Sequence, residues 1–173
     1  MPVLATMGIK ALYYKVWGAN ETDRSQVPTT GMKPVDVYQD TCSFVDKDAT
    51  ITEHKSETSS KKIVMKTKEG SDLVFSIMDP SKQERQDFEG GHYDAAKKSY
   101  KEPETAEQIE MAFVIVPDAG DTLLIPCASV SAKKNTTYSK KGITLLDVTA
   151  NPTLAVEYVE EYTVNAGGNG QEG

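Results

Sequence analysis

The sequence is poor in the residues from which reactive sites are usually built. Its 173 residues include two cysteines, two histidines and one tryptophan. Cys42 and Cys127 belong to no CxxC pair and no Cys/His cluster, which leaves no zinc-ligand spacing. They can bridge only if the fold brings their Cα atoms within about 7 Å, and two free, half-buried thiols are the simpler expectation. No apolar run approaches the roughly 20 residues of a membrane-spanning helix. Met1-Pro2-Val3-Leu4-Ala5-Thr6-Met7 lacks the basic start and apolar core of a secretory signal. The Asn-x-Thr triplets at 20–22 and 135–137 therefore read as chance loop sequence rather than glycosylation acceptors. Positive charge is also short: 19 Lys and Arg against 26 Asp and Glu leave −7. A protein that grips nucleic acid needs the opposite surplus to displace counterions.

What remains is an ordinary globular composition, 38% apolar and 26% charged, long enough for one domain. Val, Ile and Thr number 15, 8 and 17, whereas Leu numbers only 8. Branching at Cβ suits a pleated surface better than a helix, so the composition leans to β. A hairpin is expected over 62–78: Ile63, Met65 and Thr67 share one face, Gly70 lies in a turn, and Leu73, Phe75 and Ile77 share the returning face. A second is expected from 109–116 to 122–132, with Pro126 marking an edge or a bulge. Two closing strands are expected at 143–149 and 154–164, separated by Asn151-Pro152, with further candidates at 9–17 and 49–55. One short α-helix is predicted at about 80–89. Asp79 can cap it ahead of Pro80, or Ser81 can cap it with Glu84 three residues on, and Gly90-Gly91 ends it. Only Phe88 is large and apolar within it. Polar loops are expected at 18–34, 54–62 and 92–107. The whole reads as a single antiparallel β domain over 1–164, a sandwich or half-barrel with a flanking helix, followed by a flexible glycine-rich tail at 165–173.

Charge is uneven. After Lys141 there is no further Lys or Arg but there are five acids, Asp147, Glu157, Glu160, Glu161 and Glu172. On a strand through 154–164, Glu157 and Glu161 would share a face, either a plain solvated face or one that repels polyanions or meets a basic neighbour. Catalytic constellations are missing. His54 and His92 stand in polar segments outside any HExxH or GxSxG motif. Asp46-Lys47-Asp48-Ala49-Thr50-Ile51-Thr52, with Glu57 twelfth, superficially matches a calcium loop, but Ile51 replaces the required glycine and the segment alternates like a strand. No pair among the 26 acids is singled out for glycoside hydrolysis, and no glycine-rich cradle opens a helix. Tyr13, Tyr14 and Trp17 suit core and rim packing better than a stacking platform. No catalytic, cofactor or metal residue is therefore assigned.

The order of elements is similar to that of the tail-tube (major tail) proteins of long-tailed bacteriophages and prophages: a strand pair, a helix opened by Asp79-Pro80-Ser81, a long hairpin and two last strands. The carrying segments are Ala128-Ser129-Val130-Ser131-Ala132, Tyr138-Ser139-Lys140-Lys141-Gly142 and Ile143-Thr144-Leu145-Leu146-Asp147-Val148-Thr149-Ala150-Asn151-Pro152, within about 48–164. The resemblance implies a virion structural protein made in the bacterial cytoplasm. Six copies would form a ring, inner sheets would join into one barrel, and rings would stack into a tube through which DNA passes. Its partners would be further copies and other tail proteins, such as tape measure and terminator, with neither cofactor nor membrane. An acidic lumen, with Glu157 and Glu161 as candidates, would let DNA slide. Two other readings stay open: a β module that binds a small molecule or glycan, and a hydrolase with paired carboxylates.

Overall fold

The structure, a computed structural model, describes residues 7–164, so the expected tail at 165–173 lies outside the described residues. The chain runs β1 (Ala11–Val16), β2 (Lys33–Val35), β3 (Ser43–Asp46), β4 (Thr50–Lys55), β5 (Lys62–Thr67), β6 (Ser71–Met78), α1 (Lys82–Glu89), β7 (His92–Asp94), β8 (Ser99–Lys101), β9 (Ile109–Val116), β10 (Thr122–Asn135), β11 (Leu145–Pro152) and β12 (Glu157–Val159). It is mainly β, with antiparallel sheets and one short helix, as the Cβ-branched composition predicts.

The principal sheet has the order β2-β1-β9-β10-β11-β6-β3, with β12 added to β10. Its ends nearly meet. β2 pairs with β1, and the same run continues to bridge Val37 to Ile77 on β6, where Tyr38 N–H donates to Ser76 O at 2.8 Å and Met78 N–H to Asp36 O at 2.9 Å. One segment, 33–38, thus joins β1 to β6 and closes the sheet into a barrel. Every second residue fills the interior: Leu73, Phe75 and Ile77 from β6, Leu146, Val148 and Ala150 from β11, Met111 and Phe113 from β9, and Leu12 and Tyr14 from β1. Ala112 and Val114, on the opposite face of β9, are buried as well. Val27 and Met32 of the 18–34 loop, together with Val159, Tyr162 and Val164, lie over Tyr13, Val114, Val116 and Leu124 and form an outer layer. Two apolar residues, Val27 and Met32, thus anchor a loop that reads as polar.

Helix α1 starts at the second of its two possible caps. Ser81 is extended, and its hydroxyl accepts Glu84 N–H at 3.1 Å. Gly90, at φ +85°, ends the helix and donates its N–H to Gln86 O at 3.0 Å. Phe88 is fully buried against Tyr14 and Phe75, so α1 closes one side of the core.

Four expectations are corrected. The strands at 62–67 and 71–78 exist but do not pair with each other: β5 pairs with β4, and β6 lies between β3 and β11. Gly70, at φ +87°, is a joint rather than a hairpin turn, and its carbonyl accepts Lys47 N–H at 2.9 Å. β11 starts at Leu145 and continues through Asn151 and Pro152, whose partners are Ser129 and Ala128, so Asn151-Pro152 does not separate two strands. The last strand spans three residues rather than 154–164, because β10 offers only Thr122–Leu124 to pair with it. The 18–34 and 92–107 loops are trimmed by β2 and by the small β7–β8 hairpin. The β9–β10 hairpin forms, and its register slips between Ile125 and Ala128, at Pro126.

Candidate assembly surface

Strands β3–β4 and β5–β6 make one long bent hairpin. Its base, β3 with β6, belongs to the barrel; its far end, β4 with β5, leaves the barrel as a two-stranded ribbon. Alternating Thr, Ile, Val and Met residues give both strands β character. No third strand pairs with either, and all twelve ribbon residues are exposed. An isolated two-stranded hairpin is marginal in water, and its two free edges invite pairing. Among the described residues, twelve large apolar side chains stand exposed; seven lie on β3–β6, namely Val45, Ile51, Ile63, Val64, Met65, Val74 and Met78. Apolar exposure is therefore concentrated on this hairpin rather than scattered.

The register gives the ribbon two different faces. Directly opposed residues share a face, so Thr50, Thr52, His54, Ile63, Met65 and Thr67 lie together. Ile51, Glu53, Lys55, Lys62, Val64 and Lys66 take the other. There Glu53 sits 2.7 Å from the Lys62 ammonium and 3.7 Å from that of Lys55. Three lysines against one glutamate make this face basic on a chain of net charge −7.

Two concavities adjoin the barrel. One, about 470 Å³, runs between α1, residues 102–109 and β10, and is lined by Phe88, Val130 and Ala132 together with Glu89, Glu102, Glu104 and Glu107. Glu102 pairs with Lys134, and the Tyr100 hydroxyl donates to Gly90 O at 2.8 Å. Burial first, then the charges of Glu89 and Glu102, push the Tyr100 hydroxyl up to about 12. The other, about 530 Å³, opens at the barrel mouth between Ile9, Tyr38, Cys42, Phe44, Leu123 and Tyr158.

A third surface lies on the principal sheet itself. On the outward side of β6, β11 and the second half of β10, Asp72, Val74, Ser76, Asp147, Thr149, Asn151, Ser129, Ser131 and Lys133 follow the shared register. Ser76 Oγ donates to Asp147 Oδ1 at 2.6 Å, and Lys47 lies 3.4 Å from Asp72. Unlike the outer side of β9, this face has no apolar layer over it.

The sequence candidates are dispersed. Glu157 lies on β12 opposite Leu124, whereas Glu161 lies beyond the strand; both are exposed, but no continuous strand aligns them. His54 is on the uncharged ribbon face, and exposed His92 is on β7. Asp46 ends β3 and Thr50, Ile51 and Thr52 belong to β4, the strand reading of that segment. Tyr14 is core, Tyr13 joins the outer layer, and Trp17 Nε1 donates to Pro126 O at 2.9 Å with Lys15 over its ring. Cys42 and Cys127 are free; Cys127 is fully buried, and burial pushes the Cys42 thiol up. Among the described residues no group of three or more His, Cys, Asp or Glu is placed to hold a metal, and no helix is long and apolar enough to cross a membrane. The ribbon and the glutamate-lined groove were not singled out from sequence. The available signal was the apolar run Ile63-Val64-Met65 between Lys62 and Lys66.

No protein-family model matches the sequence, and no curated protein matches it. Among solved structures, the chain has a distant likeness to one in the PVC sheath–tube complex of an extracellular contractile injection system in its extended state. It is 9% identical, with 88% of this chain and 92% of that chain covered and a TM-score of 0.38.

Proposed function

We propose that this protein is a structural subunit that associates with copies of itself, forming rings that stack into a phage-type tail tube. The observation that carries the reading is the ribbon: twelve exposed residues, two unpaired edges and a run of uncovered Ile, Val and Met, held away from a barrel that is otherwise filled. The tail-tube resemblance of 48–164 agrees with it. In this reading the barrel interior is core and conducts nothing, so any channel belongs to the ring. The uncovered face of β6, β11 and β10, where Ser76, Ser129, Ser131, Thr149 and Asn151 stand among Asp72, Val74, Asp147 and Lys133, would suit its wall. Exposed Glu157 and Glu161 would add negative charge at the lumen or at a subunit boundary. DNA would pass without specific contact, other tail proteins would close the ends, the site of action would be the virion tail, and no substrate would be turned over.

Electron microscopy and sedimentation of the purified protein over a concentration series test the proposal. Rings or tubes are expected. A strictly monomeric protein at every concentration, also with partner tail proteins, refutes it. The mouth cavity favours a second reading, a small-molecule- or glycan-binding module, because its volume and mixed lining fall in the range of ligand pockets. That reading requires a ligand-dependent rise in melting temperature that a bulky substitution at Phe44 abolishes.

A further inference from the structure

We infer that the lysine-bearing face of the ribbon docks into the glutamate-lined groove beside α1 of a second copy of this chain. The inference rests on the self-association reading and specifies its contact. The ribbon needs a partner, since six residues on each strand are solvated on both sides and pair only with each other. Its two faces differ in what they ask of that partner. The face with Lys55, Lys62 and Lys66 surrounds Ile51 and Val64 with cations, so its complement is an apolar floor with an anionic rim. The groove combines both chemistries: Phe88, Ile109, Val130 and Ala132 are among its lining residues, together with Glu89, Glu102, Glu104 and Glu107. Lys134 pairs with Glu102 at this rim and Arg85 acts on Glu89, so the four carboxylates still outnumber the cations beside them. Burial raises the Glu89 carboxyl, with Glu102 adding to the rise and Arg85 and Lys134 opposing it.

The ribbon and the groove are different patches of one molecule, and used head-to-tail, each copy's ribbon in the next copy's groove, the contact propagates into a ring or a filament. This yields a test that a merely structural effect cannot imitate. One variant carries K55Q, K62Q and K66Q and keeps its groove; the other carries E102Q, E104Q and E107Q and keeps its ribbon. All six positions are exposed, and matched thermal melts of the two variants check their folding. Three exposed lysine–carboxylate contacts together are worth roughly 10- to 100-fold in affinity, and high salt weakens them. Each variant alone is expected to sediment as the 18.9 kDa monomer at concentrations where the unaltered protein assembles. Mixed in equal amounts, they are expected to form a pair of twice that mass and nothing larger, because one intact ribbon meets one intact groove and both ends are then blocked. Variants that assemble as the unaltered protein does, or a mixture that stays monomeric, overturn the docking mode and leave self-association standing. An unaltered protein that never assembles overturns both.

Discussion

Replacing Phe88 with Ala tests whether α1 is part of the barrel or only attached to it. The ring is 1% exposed, 4.6 Å from Tyr14 at a tilt of 52° and 6.1 Å from Phe75 at 81°. Burying a phenylalanine side chain contributes roughly 1.5–3 kcal/mol, and each tilted or edge-on aromatic contact adds about 0.5–1.5 kcal/mol. The loss should therefore be about 3–5 kcal/mol, the range of Phe→Ala changes in packed cores. With a urea slope of about 2 kcal/mol/M, the midpoint should fall by roughly 2 M. Trp17 fluorescence is a suitable probe, because its indole is tied to Pro126 O at the β10 bulge, in the body of the barrel. Phe88→Leu should recover more than half of the loss. A midpoint shift worth less than about 1 kcal/mol would refute the reasoning, because the barrel would then be complete without its helix.

Three further outcomes are expected. Burial raises the Glu84 carboxyl against the opposing bonds to Ser81, with Asp36 and Asp87 adding to the rise. Its stabilising contribution is thus present below the ordinary glutamate value and lost as pH climbs through the folded one. Glu84→Gln should accordingly gain stability relative to the parent between pH 3 and pH 7 in urea titrations; a gain that does not vary with pH contradicts this. Tyr14 is raised above an ordinary tyrosine by burial first and then by donating to Asp87 Oδ2 at 2.7 Å, so its contribution is complete below about pH 10 and fades above it. Tyr14→Phe should cost about 1.5 kcal/mol at pH 7 and flatten the alkaline decline, and an unchanged alkaline slope would count against it. Hydrogen exchange should find the β4–β5 amides fast in dilute protein and those of β9, β10 and β11 slowest, with the ribbon becoming protected on assembly. Ribbon amides as slow as β10 in the monomer would be incompatible with a solvated, partnerless pair.

What the sequence made legible was what short-range chemistry decides. The Ser81–Glu84 spacing allowed one of the two possible caps and the structure uses it; the alternation in 109–116 and 122–132 specified a hairpin, and Pro126 marked its bulge. What it hid was pairing over distance. Alternation tells which side of a strand faces inward but not which strand lies beside it, so β5 looked like the natural neighbour of β6 across Gly70 when its partner was β4. The closing run 33–38 carries Pro34, a poor strand residue, and forms only because β1 and β6 both present an edge to it. The groove escaped notice because its glutamates come from α1 and from 102–107, a segment that reads as solvated charge. Glu157 and Glu161 drew attention because Lys and Arg run out after Lys141 while acids continue, yet alternation over 154–164 could not foresee that pairing would stop after three residues.

The closed barrel changes how assembly has to be explained. Had the sheet been left open, a neighbour could have extended it strand by strand. With 33–38 bridging β1 and β6, the longest strands left with a free edge along their whole length, among the described residues, are the two of the appended ribbon. In the proposed self-association, contact between copies depends on an element whose own stability is small, because two strands without a core gain little from each other. On that proposal folding is separate from assembly: the barrel would form first on its own contacts, and the ribbon would become ordered for good only when a neighbour covers it. The angle at which the ribbon leaves the barrel at the Lys47–Gly70 joint would then fix the rotation between neighbours, and with it whether successive head-to-tail contacts close a ring or continue as a filament.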